Sequence, residues 1–442
     1  VHCRVVLALA VALTGSPLAH GPAAAAQPPL DVNSLGFQAS YEVEATFNRA
    51  NGTVSVHTTA QVTDDKPWPA SVLAFNLATL RTGHARITSA TVDGAQVTAT
   101  PDDQTVLIPM DPPLTTGQTR TVTVDYDARL NADPDPDSDD WGFAGTRDFV
   151  TGYRWIPWLS RTTPFNRPSV GDPYVTASSP HVRVEITGDP SLLFGTTGVE
   201  TSSAGGTHVF EAHDVRDFNF AASASYHEAT RTVRGINLRL LYRELDAQSV
   251  LDITARAVNE YSDRIGAYPY PQLTITEVGP WAPLESPTLF WLPSNAPARL
   301  LPWMTAHETG HQWFYSVVGN DQAREPFADE AITDFISRSL ISRFVPSQCA
   351  PDFLDYSIYD LGPCYPWVVY VQGDAWLRDY QQAVGGPTFY RGLADYYAHY
   401  RNGLGGTRQV LDALDRAAGI FEVHHRFPRL YAVPDPHAVW IP

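Results

Sequence analysis

The string His307-Glu308-Thr309-Gly310-His311, with Glu330 nineteen residues further on, constrains this chain more than any other feature. Two histidines four apart lie on one face of a helix, so both imidazoles reach a single metal ion. Glu308 points about a quarter-turn away, towards whatever approaches that ion. A carboxylate brought by Glu330 from a following helix completes three protein ligands and leaves one position open. That is the donor set of a catalytic zinc site, since structural zinc sites close all four positions. Pro302 suits a first helical turn and Gly319-Asn320 a helix end, with Trp303, Met304, Phe314 and Val318 as core contacts between them. A second helix is expected to open at 326–332 and run towards Arg343. The plain alternative is a solvated helix with incidental histidines.

At 442 residues the chain exceeds one ordinary domain, and two or three are expected. Its net charge is −18, with the acidic residues spread along the sequence. This argues against a nucleic-acid partner and for simple solubility. Residues 1–26 read as a signal peptide: His2 and Arg4 start it, 5–13 form an apolar run, and Ala23 to Ala26 offer small residues for cleavage before Gln27. The run is too short to span a bilayer and no later segment is long enough, so stable membrane insertion is not expected. The expectation is a secreted protein, bacterial by its initiating valine. Once the leader is removed, Cys349 and Cys364 remain as an even pair in an oxidising compartment. Joined, they would close a loop of about 15 residues, adding on the order of 3 kcal/mol by chain entropy. Nothing in the pattern specifies an oligomeric state.

From about 35 to 226 the pattern is strand-like: 37–47 alternates, and 53–62 and 120–126 are rich in valine and threonine. Asn51-Gly52 and Asp93-Gly94 supply turns, and the acidic, proline-bearing stretch 131–140 reads as an exposed loop. The texture changes after Glu228. Strands are expected at 238–242 and 273–278, and helices at 247–264, 371–383, 388–400 and 407–418. The fold class is therefore α+β and multidomain: an all-β domain over 27–228, then a mainly helical domain with a small mixed sheet over 229–419. Residues 420–442 form a tail with several prolines and no clear period.

Over roughly 235–419 the chain resembles the gluzincin aminopeptidases, the group that contains aminopeptidase N and the leukotriene hydrolases. The resemblance rests on the HExxH string and its distant glutamate, on Tyr370-x-x-Gly373, on Glu285, and on the Gly385-Gly386 break before Phe389-Tyr390 and Tyr396-Tyr397. It implies a thermolysin-like catalytic domain binding one Zn2+ through His307, His311 and Glu330, with peptides as substrates. Glu308 would be the general base and Tyr370 the donor to the oxyanion of the tetrahedral intermediate. Glu285 would bind the free amino terminus of the substrate, fixing cleavage at the first peptide bond. The strand after it, 288–292, would pair with extended substrate as an edge strand does. Asp334, one helical turn beyond Glu330, stands where a carboxylate could accept the outer N–H of a ligating histidine, or could serve a capping role.

Three departures keep alternatives open. Pro283-Leu284 stand where the family carries glycine and methionine, and the β-rich half shows no second amine-binding side chain. A large helical C-terminal domain is also not expected after 419, so an open cleft and an endopeptidase-leaning variant remain. Epoxide hydrolysis on the same zinc scaffold is a second enzyme reading. A non-catalytic binding protein that retains the fold is a third.

Overall fold

The computed structural model describes residues 32–135, 140–162, 175–343, 345–350, 353–419 and 426–432. The expected signal peptide and most of the expected tail lie outside these residues.

Strict alternation produces the first sheet. Phe37–Asn48 buries every second residue, from Phe37 to Phe47, and pairs antiparallel with Thr53–Asp64 across its whole length. Each buried valine or phenylalanine is worth roughly 1.5–3 kcal/mol, so a one-residue register slip would expose the entire set. These strands sit inside an eight-stranded sheet, joined by a four-stranded and a three-stranded sheet, all drawn from residues 37–223. The β-rich half is as the alternation indicates.

A five-stranded mixed sheet follows, in the order His227–Val233, Ile236–Tyr242, Gln272–Val278, Leu289–Pro293, Leu284–Ser286. Its middle strands pair in parallel and its two ends are hairpins. Here one expectation is corrected. The strand after Glu285 is enclosed on both sides, by Gln272–Val278 and by Leu284–Ser286, so it has no free edge. The edge is Leu284–Ser286, the strand that carries Glu285 itself.

Helix Ala247–Arg264 has the expected bounds: the Asp246 carboxylate accepts from the Ser249 N–H at 3.2 Å, and Val250, Leu251, Thr254, Ala257, Val258 and Tyr261 form its buried stripe. Tyr261 reaches the next helix, donating to the Ala306 carbonyl at 3.1 Å. That helix, Leu301–Gly310, is shorter than expected; it stops at His311, and the chain turns through 312–318. Helices Ile332–Leu340, Gly373–Val384, Gly386–His399 and Thr407–Ala418 complete the domain. Cys349 and Cys364 are joined, with Cα atoms 5.8 Å apart. Among the described residues no helix is long and apolar enough to cross a membrane.

Three arginines from the β-rich half clamp the 312–325 loop. Arg216, fully buried, donates to the carbonyls of Ser316 at 3.2 Å and Gly403 at 2.9 Å, and to Thr176 on its own side at 3.0 Å. Arg161 pairs with Asp321, and Arg154 donates to Gln322 at 3.2 Å. A buried guanidinium bonded to carbonyls is costly to strand, so side chains of the β-rich half help fix this loop.

Candidate active site

The zinc motif is held on two closely packed helices, and glycines set the approach. A Cβ on Gly310 would stand 2.9 Å from Thr333 Cγ2, and one on Gly373 would stand 2.7 Å from Ala331 Cβ. These two positions let three segments converge: the His307–His311 turn, the Glu330 segment and the Tyr370 segment. Both latter segments are wider than an ordinary helix. Phe327–Ala331 and Pro366–Gln372 are π-helical and run directly into α-helices. One extra residue in the turn rotates the side chains around it, and such turns concentrate at functional sites.

The three expected ligands meet. Glu330 Oε2 lies 3.1 Å from His307 Nε2 and 3.4 Å from His311 Nε2, and the two nitrogens are 3.0 Å apart. A tetrahedral zinc ion with ligand bonds of about 2.0–2.2 Å sets its donors roughly 3.3–3.5 Å apart, close to this spacing. All three residues are buried. His311 Nδ1 donates to the Phe314 carbonyl at 3.1 Å, which leaves Nε2 as the lone-pair nitrogen. Burial pushes the His307 imidazole down to about 4, so it is neutral and able to ligate. At His311, burial is outweighed by the charges of Glu285 and Glu330, which hold it well above its ordinary value. A metal ion among those carboxylates replaces that proton. With that proton gone, the two imidazole lone pairs, 3.0 Å apart, would repel unless a cation sat between them. The donor set therefore fits one Zn2+.

Glu308 is buried one position along the helix, and oxygens of Glu285 and Glu308 lie within 4.8 Å of each other and of a His311 ring nitrogen. Tyr370 stacks on His307 with ring centroids 5.5 Å apart. Burial, then the charge of Glu330 and the neighbouring Tyr365, raises its hydroxyl well above the ordinary value, so it stays a donor. Asp334 Oδ1 is 3.8 Å from His307 Nδ1, beyond hydrogen-bond length. Its carboxylate instead accepts from Trp303 Nε1 at 2.9 Å and pairs with Arg338 Nε at 2.5 Å. His307, Glu308, His311, Glu330, Tyr370 and Glu285 border a cavity of about 430 Å³ whose walls include Trp141, Trp303, Tyr365 and Trp367.

Several contributors carry no signal of their own in the sequence. Gln322 donates to Glu285 Oε1 at 2.7 Å and accepts from Arg154 at 3.2 Å. Arg154 also donates to the Tyr315 hydroxyl at 3.3 Å, which in turn donates to the buried Asp217 carboxylate. Tyr315 has φ +139°, a strained backbone that the surrounding bonds must hold. Gln312, directly after the second histidine, accepts from the Thr288 N–H at 2.9 Å and donates to the Ser286 carbonyl at 3.0 Å. It bolts the zinc-motif turn to the hairpin that bears Glu285. Buried Leu284 packs with Trp281 and Trp291 on the other side of that hairpin.

No protein-family model matches the chain, and no curated protein matches it. Solved structures do. An M1 zinc metallopeptidase from Deinococcus radiodurans superposes with a TM-score of 0.67 at 17% identity, over 87% of this chain and 91% of that one. A mutant M1 zinc metallopeptidase from the same organism, bound to a Tyr-Ser-Ala substrate, gives 0.66 at 16% identity over 88% and 93%. A mutant two-domain M1 zinc metallopeptidase bound to L-arginine gives 0.67 at 18% identity over 88% and 92%. At these identities the likeness is one of fold, and this fold brings a His-His-Glu cluster together at His307, His311 and Glu330.

Proposed function

We propose that the chain is a gluzincin zinc metallopeptidase that releases residues from the amino terminus of peptides. One observation carries this reading: the carboxylate of Glu285 lies beside Glu308 and the ligand cluster, on the edge strand of the sheet. His307, His311 and Glu330 would hold a zinc ion, which when bound would supply Lewis acidity and make water ionisable near neutral pH.

The remaining work falls to the chain. Glu308 takes the proton of the attacking water and passes it to the departing amine, which matches its burial beside the cluster. The Tyr370 hydroxyl, kept protonated by burial and by Glu330, donates to the oxygen that gains charge as water adds. Glu285, fixed by Gln322 and left with its second oxygen, accepts the substrate ammonium. On this edge strand Leu284 and Glu285 line the cavity and offer backbone groups to extended substrate, while the Ser286 carbonyl is already engaged by Gln312. The export signal and the domain boundary near Glu228 belong to the same proposal, with a bacterial, secreted enzyme as its setting.

Product mapping on a mixed peptide library tests the reading. Single residues should leave from the amino terminus, and chelation should stop the release. Internal cuts as the main product would establish the endopeptidase instead.

Gln322→Ala should raise KM for free-amino peptides on the order of tenfold, the worth of one hydrogen bond to a charged group, with kcat changed only a few-fold. Steady-state kinetics checks this. A collapse of kcat at constant KM would assign Gln322 to the reacting centre.

A further inference from the structure

The outer face of the eight-stranded sheet carries a second set of metal-ligating side chains. His181, Glu211 and His213 each offer a ligand atom, and these atoms lie within 4.8 Å of one another. Register explains the grouping. Val182–Thr187 and Thr207–Ala212 pair antiparallel with Val182 opposite Ala212 and Arg183 opposite Glu211. One step further, His181 stands opposite His213, and the Asp214 N–H to Pro180 carbonyl bond continues the ladder. Glu211 and His213 are two apart on one strand, so they share a face. Val182 and Ala212 between them point into the core.

We propose that His181, Glu211 and His213 form a binding site for one divalent transition-metal ion, of the Zn2+, Ni2+ or Cu2+ class. The two imidazole rings already face each other, with centroids 5.0 Å apart. His213 Nδ1 is 3.3 Å from the Pro180 carbonyl, and donating there makes Nε2 the lone-pair nitrogen. An outer N–H held by a backbone carbonyl is the usual support of a ligating histidine. Arg183, the cation opposite Glu211, turns to Glu185 at 3.0 Å. Among the described residues Glu211 has no ion-pair partner, and the neighbouring outward residues Glu42, Glu44 and Glu185 are acidic. Two imidazoles and one carboxylate select borderline metals over Mg2+ and Ca2+. Three protein ligands on an open surface leave water at the remaining positions. A bound ion ties the two strands together.

The test uses the zinc-loaded enzyme after dialysis, titrated with Ni2+ in a calorimeter while zinc content and peptide hydrolysis are followed. The zinc content separates nickel taken here from nickel that replaces zinc. Wild type should take up one nickel per chain without losing zinc, and Mg2+ should give no comparable binding. His213→Ala and His181→Ala should each weaken nickel binding at least tenfold while hydrolysis stays at the wild-type rate. The substitutions lie on different strands, so a folding failure in one leaves the other as the reading, with Glu211→Gln as a conservative third. Wild type that binds no nickel beyond its zinc, or variants that bind as tightly as wild type, would overturn the site.

Discussion

Glu308→Gln should keep its zinc and lose peptide hydrolysis by roughly a thousandfold, within the range of general-base contributions. Glutamine has the shape of glutamate but cannot accept the proton. Glu308 does not contribute to the His307–His311–Glu330 cluster, whose donors are already 3.0–3.4 Å apart without it. The loss should therefore fall on kcat, with zinc content and thermal stability close to wild type. Turnover of an aminoacyl chromogenic amide, with zinc measured on the same sample, checks both halves. Full activity in this variant would remove Glu308 from the mechanism.

Glu285→Ala should separate substrates by their amino terminus. A charge-assisted hydrogen bond is worth about 1.5–3 kcal/mol, so kcat/KM for free-amino peptides should fall about 10- to 100-fold further than for amino-blocked peptides. The geometry behind this is specific. Glu285 sits on an edge strand, is only 4% exposed, and has one oxygen engaged by Gln322. The substitution also removes a negative charge beside Glu308 and His311, and that effect is common to both substrates. Comparing free and blocked versions of one peptide cancels it. Equal losses on the two would make Glu285 a bystander.

The ligand set was legible because its order is local. His307 and His311 are one helical turn apart, so spacing alone puts them on one face; Glu330 was legible from its distance after the motif together with the family resemblance. The alternation of 37–47 and the apolar stripe of 247–264 were legible for the same reason. What escaped was non-local or irregular. The π-helical turns at Glu330 and Tyr370 break the 3.6-residue period on which helix reading depends. The zinc-motif helix ends at Gly310, although the apolar pattern continues through Val318, because the chain there turns back to meet Arg216. The relay from Asp217 through Tyr315 and Arg154 to Gln322 joins side chains from three distant segments, and no periodicity marks it. Strand order also needed the structure: 288–292 reads as a good strand in either position, and only the pairing shows that Leu284–Ser286 takes the edge.

The central claim is that His307, His311 and Glu330 share one zinc ion on which hydrolysis depends. Anomalous scattering at the zinc edge, from crystals of catalytically active protein, tests it most directly. The account predicts a peak about 2.0–2.2 Å from both Nε2 atoms and from a Glu330 oxygen, absent after chelation together with the activity. Active crystals with no zinc peak at that point would contradict it.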